Sequence, residues 1–208
     1  MISSIRRNRR GFTLVELAIV LVIIGIILGA VLKAQEMIFN AKVKRVQNQI
    51  REMMAAFYTY YDKYGYYPGD DPGASSRWSG APNGDGDGLV EGGYCNARGE
   101  ESCNIWRHLR YANIISGDPT DRNPATMTPK HAFGGPLDMF TGTYSVGGQT
   151  RSGLWITLRN IEAAAAEAID RALDDGKCTT GSIARYAGAT CNGDNYPSSG
   201  YLDIWMNF

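Results

Sequence analysis

An uninterrupted apolar segment near the N-terminus constrains this chain more than any other feature of its sequence. Residues 12–32 contain no Asp, Lys, Arg or Pro, and Glu16 is their only charged residue. These 21 residues would form a helix of roughly 30 Å, the thickness of a bilayer's hydrocarbon core. Four arginines precede the segment: Arg6, Arg7, Arg9 and Arg10. This basic flank predicts a cytoplasmic N-terminus and export of the rest of the chain.

A charged side chain inside such a segment is costly in a membrane, so Glu16 needs a compensating interaction. The surrounding sequence reads Gly11-Phe12-Thr13-Leu14-Val15-Glu16-Leu17, behind the basic leader and ahead of the aliphatic run. This arrangement resembles the leader and first helix of type IV prepilins and type II secretion pseudopilins. The resemblance implies that a membrane peptidase cuts after Gly11, that the new N-terminal Phe12 is methylated, and that Glu16 acts in assembly.

The resemblance also implies how Glu16 is compensated and which partners the protein has. Cleavage would free the amine of Phe12, a cation that can offset Glu16 on the same subunit or on a neighbour. The implied partners are other pilin-like subunits, the inner-membrane assembly platform, the prepilin peptidase and the membrane. The protein would start in the bacterial inner membrane with its head outside the cytoplasm and end in a periplasmic pseudopilus or a surface pilus.

The charge balance argues against a nucleic-acid-binding protein. The chain has 21 basic and 21 acidic residues, and removing the four leader arginines leaves 17 basic residues. A mildly acidic mature chain does not offer the positive surface that a phosphate backbone attracts. No nucleic-acid partner is therefore expected.

The N-terminal segment also has two other interpretations, a cleaved signal peptide and a signal anchor. An ordinary signal peptide would end at a small-residue cleavage site, which Gly29-Ala30 supplies poorly. A signal anchor that tethers a periplasmic binding or enzymatic domain stays open as the alternative, although it leaves Glu16 unexplained. The head contains no Gly-x-Ser-x-Gly motif and no phosphate loop, so we expect a structural subunit and not an enzyme.

A helical pattern continues beyond the apolar segment. Apolar residues recur at spacings of three and four from Phe39 to Tyr64, and neither Pro nor Gly interrupts the chain from Ala30 to Tyr64. Gly65 and then Pro68 mark the end of the helix. We predict one helix from Phe12 to Tyr64. The predicted divisions are a leader (1–11), a transmembrane and polymerisation half (12–34), an amphipathic half (35–64) and a head (65–208).

The predicted fold class is α+β and pilin-like, with a small antiparallel sheet packed on the distal half of the long helix. Glycine-bounded apolar runs predict strands at 144–146, 154–158, 182–186 and 201–206, with Gly147-Gly148 turning the first pair. Two head helices are expected, at 105–112 and 161–174, capped by Asn104 and Asn160. Residues 113–140, which are rich in proline, are predicted to be irregular.

Four cysteines follow the apolar segment: Cys95, Cys103, Cys178 and Cys191. An even number of cysteines in an exported domain predicts two disulfides, for which three connectivities exist. We favour the pairing of sequence neighbours. A zinc site is the rival interpretation, but the chain has no Cys-x-x-Cys motif and only two histidines, His108 and His131.

A Gly- and Asp-rich loop in the head suggests a calcium site. Asn83, Asp85, Asp87 and Glu91 follow the spacing of an EF-hand loop, and Leu89 offers a backbone oxygen. The twelfth position is Tyr94, where the EF-hand has a bidentate glutamate, so the template is incomplete. Asp70 or Asp71 would have to contribute. Calcium is the only cofactor that the sequence suggests, and a flexible polar turn is the alternative.

Overall fold

The computed structural model describes residues 11–97 and 99–208, so the leader arginines lie outside the described residues. The elements are α1 (Leu14–Tyr64), α2 (Ala74–Arg77), α3 (Glu101–Tyr111), α4 (Pro124–Met127), β1 (Leu137–Val146), β2 (Gln149–Glu162), α5 (Ala163–Leu173), β3 (Ile183–Gly188) and β4 (Tyr201–Asn207). The strands form one antiparallel sheet in the order β1-β2-β4-β3. This is the predicted α+β architecture of a long helix followed by a small antiparallel sheet.

Helix α1 runs for 51 residues without interruption, as the periodicity predicted. It ends where Gly65 adopts a positive φ of 78°, a conformation that glycine tolerates at the end of a helix. The Gly65 N–H donates to the Tyr61 carbonyl at 2.7 Å and closes the last turn. Gly65 and Pro68 therefore predicted this helix end correctly.

The chain divides into two compact units, with the boundary after Ala41. In the first unit, every large apolar side chain from Leu14 to Leu32 is at least 46% exposed. The most apolar 18-residue window of α1 has a mean hydropathy of 3.0, and none of it is buried within the protein. Water does not favour so much apolar surface, whereas a bilayer or neighbouring helices do.

The second unit, Lys42–Phe208, contains the rest of α1 and the head. Its part of α1 buries one face, formed by Val43, Val46, Ile50, Ala56, Phe57 and Tyr60. Gln49 ties this helix to the head, because its amide donates to the Lys130 carbonyl and its oxygen accepts from the Ala132 N–H, both at 3.1 Å. This part of α1 therefore packs one face within the second unit.

Strands β1 and β2 form a two-residue hairpin at Gly147-Gly148. Val146 pairs with Gln149, and both glycines have a positive φ, 59° and 72°, as a type I′ turn requires. Strand β1, however, begins at Leu137, inside the stretch predicted to be irregular. Its residues from 137 to 141 are all buried, so the alternation of polar and apolar residues that signals a half-exposed strand is missing.

Two predicted helix caps are wrong. Helix α3 begins at Glu101, with Glu100 at its N-cap, so Asn104 lies inside the helix and is buried. Strand β2 continues to Glu162 and α5 begins at Ala163. Asn160 instead occupies the irregularity of β2, with a φ of 54°, and its N–H donates to Asp203 Oδ1 at 2.7 Å. At Asn160 a contact with the distant residue Asp203 replaced the predicted local cap, whereas Asn104 cannot cap α3 because the helix begins three residues before it.

The head contains two disulfides, Cys95–Cys103 and Cys178–Cys191, which is the predicted pairing of sequence neighbours. The first ties the loop before α3 to that helix, and the second closes the loop that contains β3. Each bond restricts the unfolded chain and stabilises a domain by about 2–4 kcal/mol. Since all four thiols are oxidised, the zinc interpretation has lost its cysteine ligands.

Candidate functional site

Glu16 lies in the first turn of α1 and is exposed. Its Oε2 accepts hydrogen bonds from the Thr13 backbone N–H at 2.9 Å and from the Thr13 hydroxyl at 2.8 Å. Thr13 Oγ1 in turn accepts from the Glu16 N–H at 3.2 Å. This reciprocal arrangement of an N-cap threonine and a glutamate three residues later is a capping box. The Thr-x-x-Glu spacing that signals it was present in the sequence and was missed.

The capping box changes the interpretation of Glu16. Even in a single chain the Glu16 carboxylate has a structural role, because it accepts hydrogen bonds from donor groups at the start of the helix. Glu16 is therefore no longer unexplained under the signal-anchor alternative. Both capping bonds use Oε2, so Oε1 remains able to accept a hydrogen bond from a neighbouring cation. Helix N-termini also favour negative charge at this place.

Gly11 and Phe12 precede the helix in an exposed segment without regular secondary structure. The bond between them is therefore not protected by helical hydrogen bonds. A peptidase that cleaves at this bond would find its backbone accessible. The structure thus places Gly11 and Phe12 outside α1 and Glu16 just inside it, with Phe12 only four residues from Glu16 in sequence.

The acidic loop, which we define as residues 83–91, is the second candidate site. Asp85 and Asp87 turn the loop locally, since Asp85 Oδ1 accepts from the Asp87 N–H at 3.1 Å and Asp87 Oδ1 accepts from the Leu89 N–H at 2.8 Å. A Cβ at Gly84 would come within 2.5 Å of the Gly69 carbonyl oxygen. The loop therefore packs closely on the backbone of the preceding segment, as only glycine permits at this position.

Asp70 anchors the acidic loop from beneath. Its side chain is buried, with Oδ1 accepting from the Gly86 N–H at 2.6 Å and Oδ2 from the Gly88 N–H at 3.0 Å. Asp71 has another role, because it accepts from the Tyr60 hydroxyl at 2.6 Å and pairs with Arg77. Of the two aspartates that the sequence offered, Asp70 is the one beside the acidic loop.

A buried histidine holds two points of the segment that precedes the acidic loop, Gly69 and Pro82, to α3. His108 Nδ1 accepts from the Gly69 N–H at 2.9 Å, and Nε2 donates to the Pro82 carbonyl at 2.8 Å. Burial lowers the pKa of His108 to about 4, so the imidazole is neutral at physiological pH. His131 is also buried and donates to the Arg159 carbonyl at 2.9 Å. Both histidines have structural hydrogen bonds.

Carboxylate oxygens converge in two overlapping groups beside the acidic loop. Asp70, Asp85 and Asp87 form one group, and Asp85, Glu91 and Glu101 form the other, with the oxygens of each group within 4.8 Å of one another. Oxygens on opposite sides of a calcium ion are about 4.6 to 5.2 Å apart, given Ca–O distances of about 2.3 to 2.6 Å. The spacing of both groups is compatible with calcium.

Glu101 is the member that sequence reasoning missed. It comes from the first turn of α3, outside the loop motif, and its Oε1 accepts from the Asp85 N–H at 3.1 Å. Asn83, by contrast, uses its side-chain oxygen to accept from the Ser75 N–H at 2.8 Å. A carboxylate from the adjacent helix thus joins the cluster, while the predicted first ligand is engaged with α2.

Burial, with a smaller contribution from neighbouring carboxylates, raises the pKa of several members of this cluster. Burial, together with the neighbouring carboxylates, raises the pKa of Asp70 and Glu91 and raises that of Glu101 to about 7. The unfavourable ionisation is the expected behaviour of acidic groups held together without a cation. A divalent cation would reverse the effect, because it favours their charged forms.

Another acidic group, Asp170, Asp174 and Asp175, has structural hydrogen bonds. Asp170 accepts from the Tyr196 hydroxyl at 2.8 Å, and Asp174 accepts from the Ile183 N–H at 2.9 Å. Asp175 accepts from the Thr180 hydroxyl at 2.6 Å. These bonds hold the end of α5 to β3 and to the segments on either side of it. The fold therefore explains why the three carboxylates lie together.

Residues 6–32 match the family described as the prokaryotic N-terminal methylation motif. This match is the signature of the prepilin-type segment of type IV pilins and pseudopilins. It supports a pilin- or pseudopilin-type protein that prepilin peptidase processes, and its apolar helix fits anchoring in the inner membrane. A comparison of the chain with curated proteins found no significant match.

Proposed function

We propose that this protein, with a prepilin-type methylation motif at residues 6–32, is a structural subunit of a type IV pilus-like or type II secretion pseudopilus filament. The observation that carries the proposal is the motif's position on the first part of α1, where every large apolar side chain from Leu14 to Leu32 is exposed within the subunit. Such a surface suits the bilayer before assembly and the packing of neighbouring helices after it.

In this proposal each segment of the chain has its own role. The leader (1–11) is removed on the cytoplasmic side, and residues 12–34 span the membrane and then polymerise. The amphipathic half (35–64) carries the head (65–208) outside the cytoplasm. The partners are other pilin-like subunits, the inner-membrane assembly platform and the prepilin peptidase.

Glu16 sets the axial register between subunits in this proposal. Cleavage frees the amine of Phe12, and the ammonium group of one subunit pairs with Glu16 of its neighbour. A charge pair in a dry helix bundle is satisfied in only one alignment, so it specifies register more than it adds stability. The capping box leaves Oε1 of Glu16 for this contact.

Co-purification tests the filament proposal. We expect the processed chain in sheared surface filaments, or cross-linked to itself or to other pilin-like subunits in the envelope. Deletion of the assembly platform should abolish both signals while the processed chain stays in the inner membrane. A chain found only as an uncross-linked monomer, with or without the platform, would instead support a signal-anchored periplasmic domain with binding or enzymatic activity.

We further propose that the acidic loop and Glu101 bind calcium. Support comes from the two groups of carboxylate oxygens at calcium-like spacing and from the raised pKa values of Asp70, Glu91 and Glu101. Asp85, Asp87, Glu91 and Asp70 supply oxygens in this proposal, and Glu101 substitutes for the glutamate that the motif lacks at Tyr94. Asn83 positions the start of the loop through Ser75.

The calcium proposal predicts a rise in the melting temperature of the mature chain in detergent. At a calcium concentration a hundred times the dissociation constant, binding stabilises the protein by about 2.7 kcal/mol. For a chain of this size, that corresponds to roughly 5–10 °C. The measurement is thermal unfolding in millimolar calcium compared with chelator.

Charge-only variants make this test specific. Asp85→Asn with Asp87→Asn keeps the oxygens that accept the turn hydrogen bonds but removes two charges, and it should lose most of the calcium shift. Glu52→Gln with Asp62→Asn, two exposed acids of α1, should keep it. Equal shifts in the two double variants, or no shift in the unchanged protein, would leave the loop as a polar turn.

The pH dependence follows from Glu101. Its pKa rises from 4.5 to about 7 on folding, so between these values the folded state binds more protons and loses stability as pH rises. In chelator, the stability that the protonated Glu101 contributes should therefore fall from pH 5 to pH 8, and this loss should lower the melting temperature. The calcium shift should be larger at pH 8 than at pH 5.5, because calcium must displace the proton at low pH.

A further inference from the structure

A pocket of about 520 Å³ lies in the head at the first disulfide. Its wall combines residues of α3 with the chain segments around 80–82 and 122–127. The acidic loop residues that would bind calcium are not part of this wall, and neither is the apolar part of α1. The filament proposal does not explain it.

Two arginines line this pocket, and neither belongs to an ion pair with a described residue. Arg107 is only 7% exposed. Its Nε donates to the Pro119 carbonyl at 3.1 Å and its Nη2 to the Gly80 carbonyl at 2.9 Å. Both acceptors are neutral carbonyl groups, so the buried guanidinium has no counter-ion among the described residues. A buried charge without a counter-ion is costly, and a bound anion would lower that cost.

Asn104, the residue expected to cap α3, supplies a second polar group. It is 3% exposed, lines the pocket, and makes no side-chain hydrogen bond with any described residue. Buried amides normally find partners within the protein. Because Asn104 lines the pocket, its amide can donate to or accept from a ligand that enters there.

The acidic neighbour of Arg122 is hydrogen-bonded within its own turn and does not line the pocket. Asp121 accepts from the Asn123 N–H at 2.9 Å and from the Thr126 hydroxyl at 2.7 Å, so its carboxylate is engaged with its own turn. No Asp or Glu appears among the described residues of the pocket wall. The remaining wall is largely apolar and includes Pro82 and Met127.

We propose that this pocket binds a small organic carboxylate with an apolar body. The planar guanidinium groups of Arg107 and Arg122 match the fork of a carboxylate. Asn104 adds an amide hydrogen bond, and Pro82 and Met127 contact the apolar body. Inorganic phosphate satisfies the arginines but leaves the apolar wall uncovered, so it should bind more weakly.

The probe for this proposal is 4-fluorobenzoate, observed by fluorine NMR with the full mature chain in non-ionic detergent. We expect saturable line broadening with a dissociation constant of about 1 mM or below. The neutral 4-fluorobenzamide should bind at least about tenfold more weakly, because it lacks the charged acceptor. Inorganic phosphate at the same concentration should displace little of the probe.

Arg122→Gln is the informative variant, because Arg122 is exposed and its replacement spares the core. It should weaken 4-fluorobenzoate binding about tenfold, and Asn104→Leu should weaken it while the disulfide and melting temperature are preserved. Arg51→Gln, at an exposed arginine of α1 outside the pocket, should change nothing. Unsaturable binding, equal binding of the benzamide, efficient displacement by phosphate, or unchanged binding by Arg122→Gln would overturn the proposal.

Discussion

Replacing Gly11 by valine is expected to leave the leader attached to the whole population of the protein. Gly11 and Phe12 lie in an exposed segment without regular secondary structure, which ends before α1 begins at Leu14. A β-branched side chain directly before the scissile bond obstructs a peptidase site built around glycine. Intact-mass measurement should therefore find residues 1–11 still present and Phe12 without its methyl group. Filament incorporation should be lost with processing.

Gly25→Val is the matched control for this experiment. Gly25 lies in the same apolar segment, and a Cβ added there meets nothing within 4 Å. This variant should be cleaved after Gly11 and methylated as usual. Normal cleavage of Gly11→Val would show that another bond is cut. A mature start near Ala30 in the unchanged protein would identify an ordinary signal peptide and end the prepilin interpretation.

Glu16→Gln should insert into the membrane normally and yet fail to enter filaments. Glutamine at this position preserves a capping box but removes the negative charge. If the charge pairs with the Phe12 amine of a neighbour, its loss leaves a buried ammonium unpaired, which costs about 3 kcal/mol or more. That corresponds to a loss of more than about a hundredfold in each subunit contact. The measurement is the ratio of filament-bound to membrane-bound processed chain.

Thr13→Ala separates the capping role of Glu16 from its charge. This change removes the hydroxyl that bonds to Glu16 and costs only about 1 kcal/mol of helix stability. It should leave filament incorporation largely intact. The opposite result, in which Thr13→Ala fails and Glu16→Gln assembles, would show that Glu16 acts only as a cap. Glu16→Ala loses both interactions and should behave at least as poorly as Glu16→Gln.

The structure shows where local sequence signals were reliable. The absence of Pro and Gly after Ala30 predicted an uninterrupted helix, Gly65 marked its end, and Gly147-Gly148 marked the hairpin. Each of these signals acts through the backbone preferences of the residue itself. They hold in any environment and can be read without knowledge of tertiary contacts.

The candidate calcium cluster depended on tertiary structure. The sequence motif supplied Asp85, Asp87 and Glu91, but only folding brings Asp70 beneath the loop and Glu101 beside it. Glu101 carried no signal that would link it to the loop. Asn83 fitted the motif by spacing, yet its oxygen bonds to Ser75, because side-chain oxygens bond to whichever donor the fold brings near.

By itself the sequence determined the apolar helix, its charged residue and its prepilin-type motif, because these depend on composition and order along a single element. Tertiary structure alone decided what the polar residues of the head do. Asparagine favours helix N-caps, but the fold places Asn104 inside α3, buried in the wall of the pocket that Arg107 also lines. The physical reason is that a polar side chain interacts with whatever lies within a few ångströms, and in the head those neighbours come from distant parts of the chain.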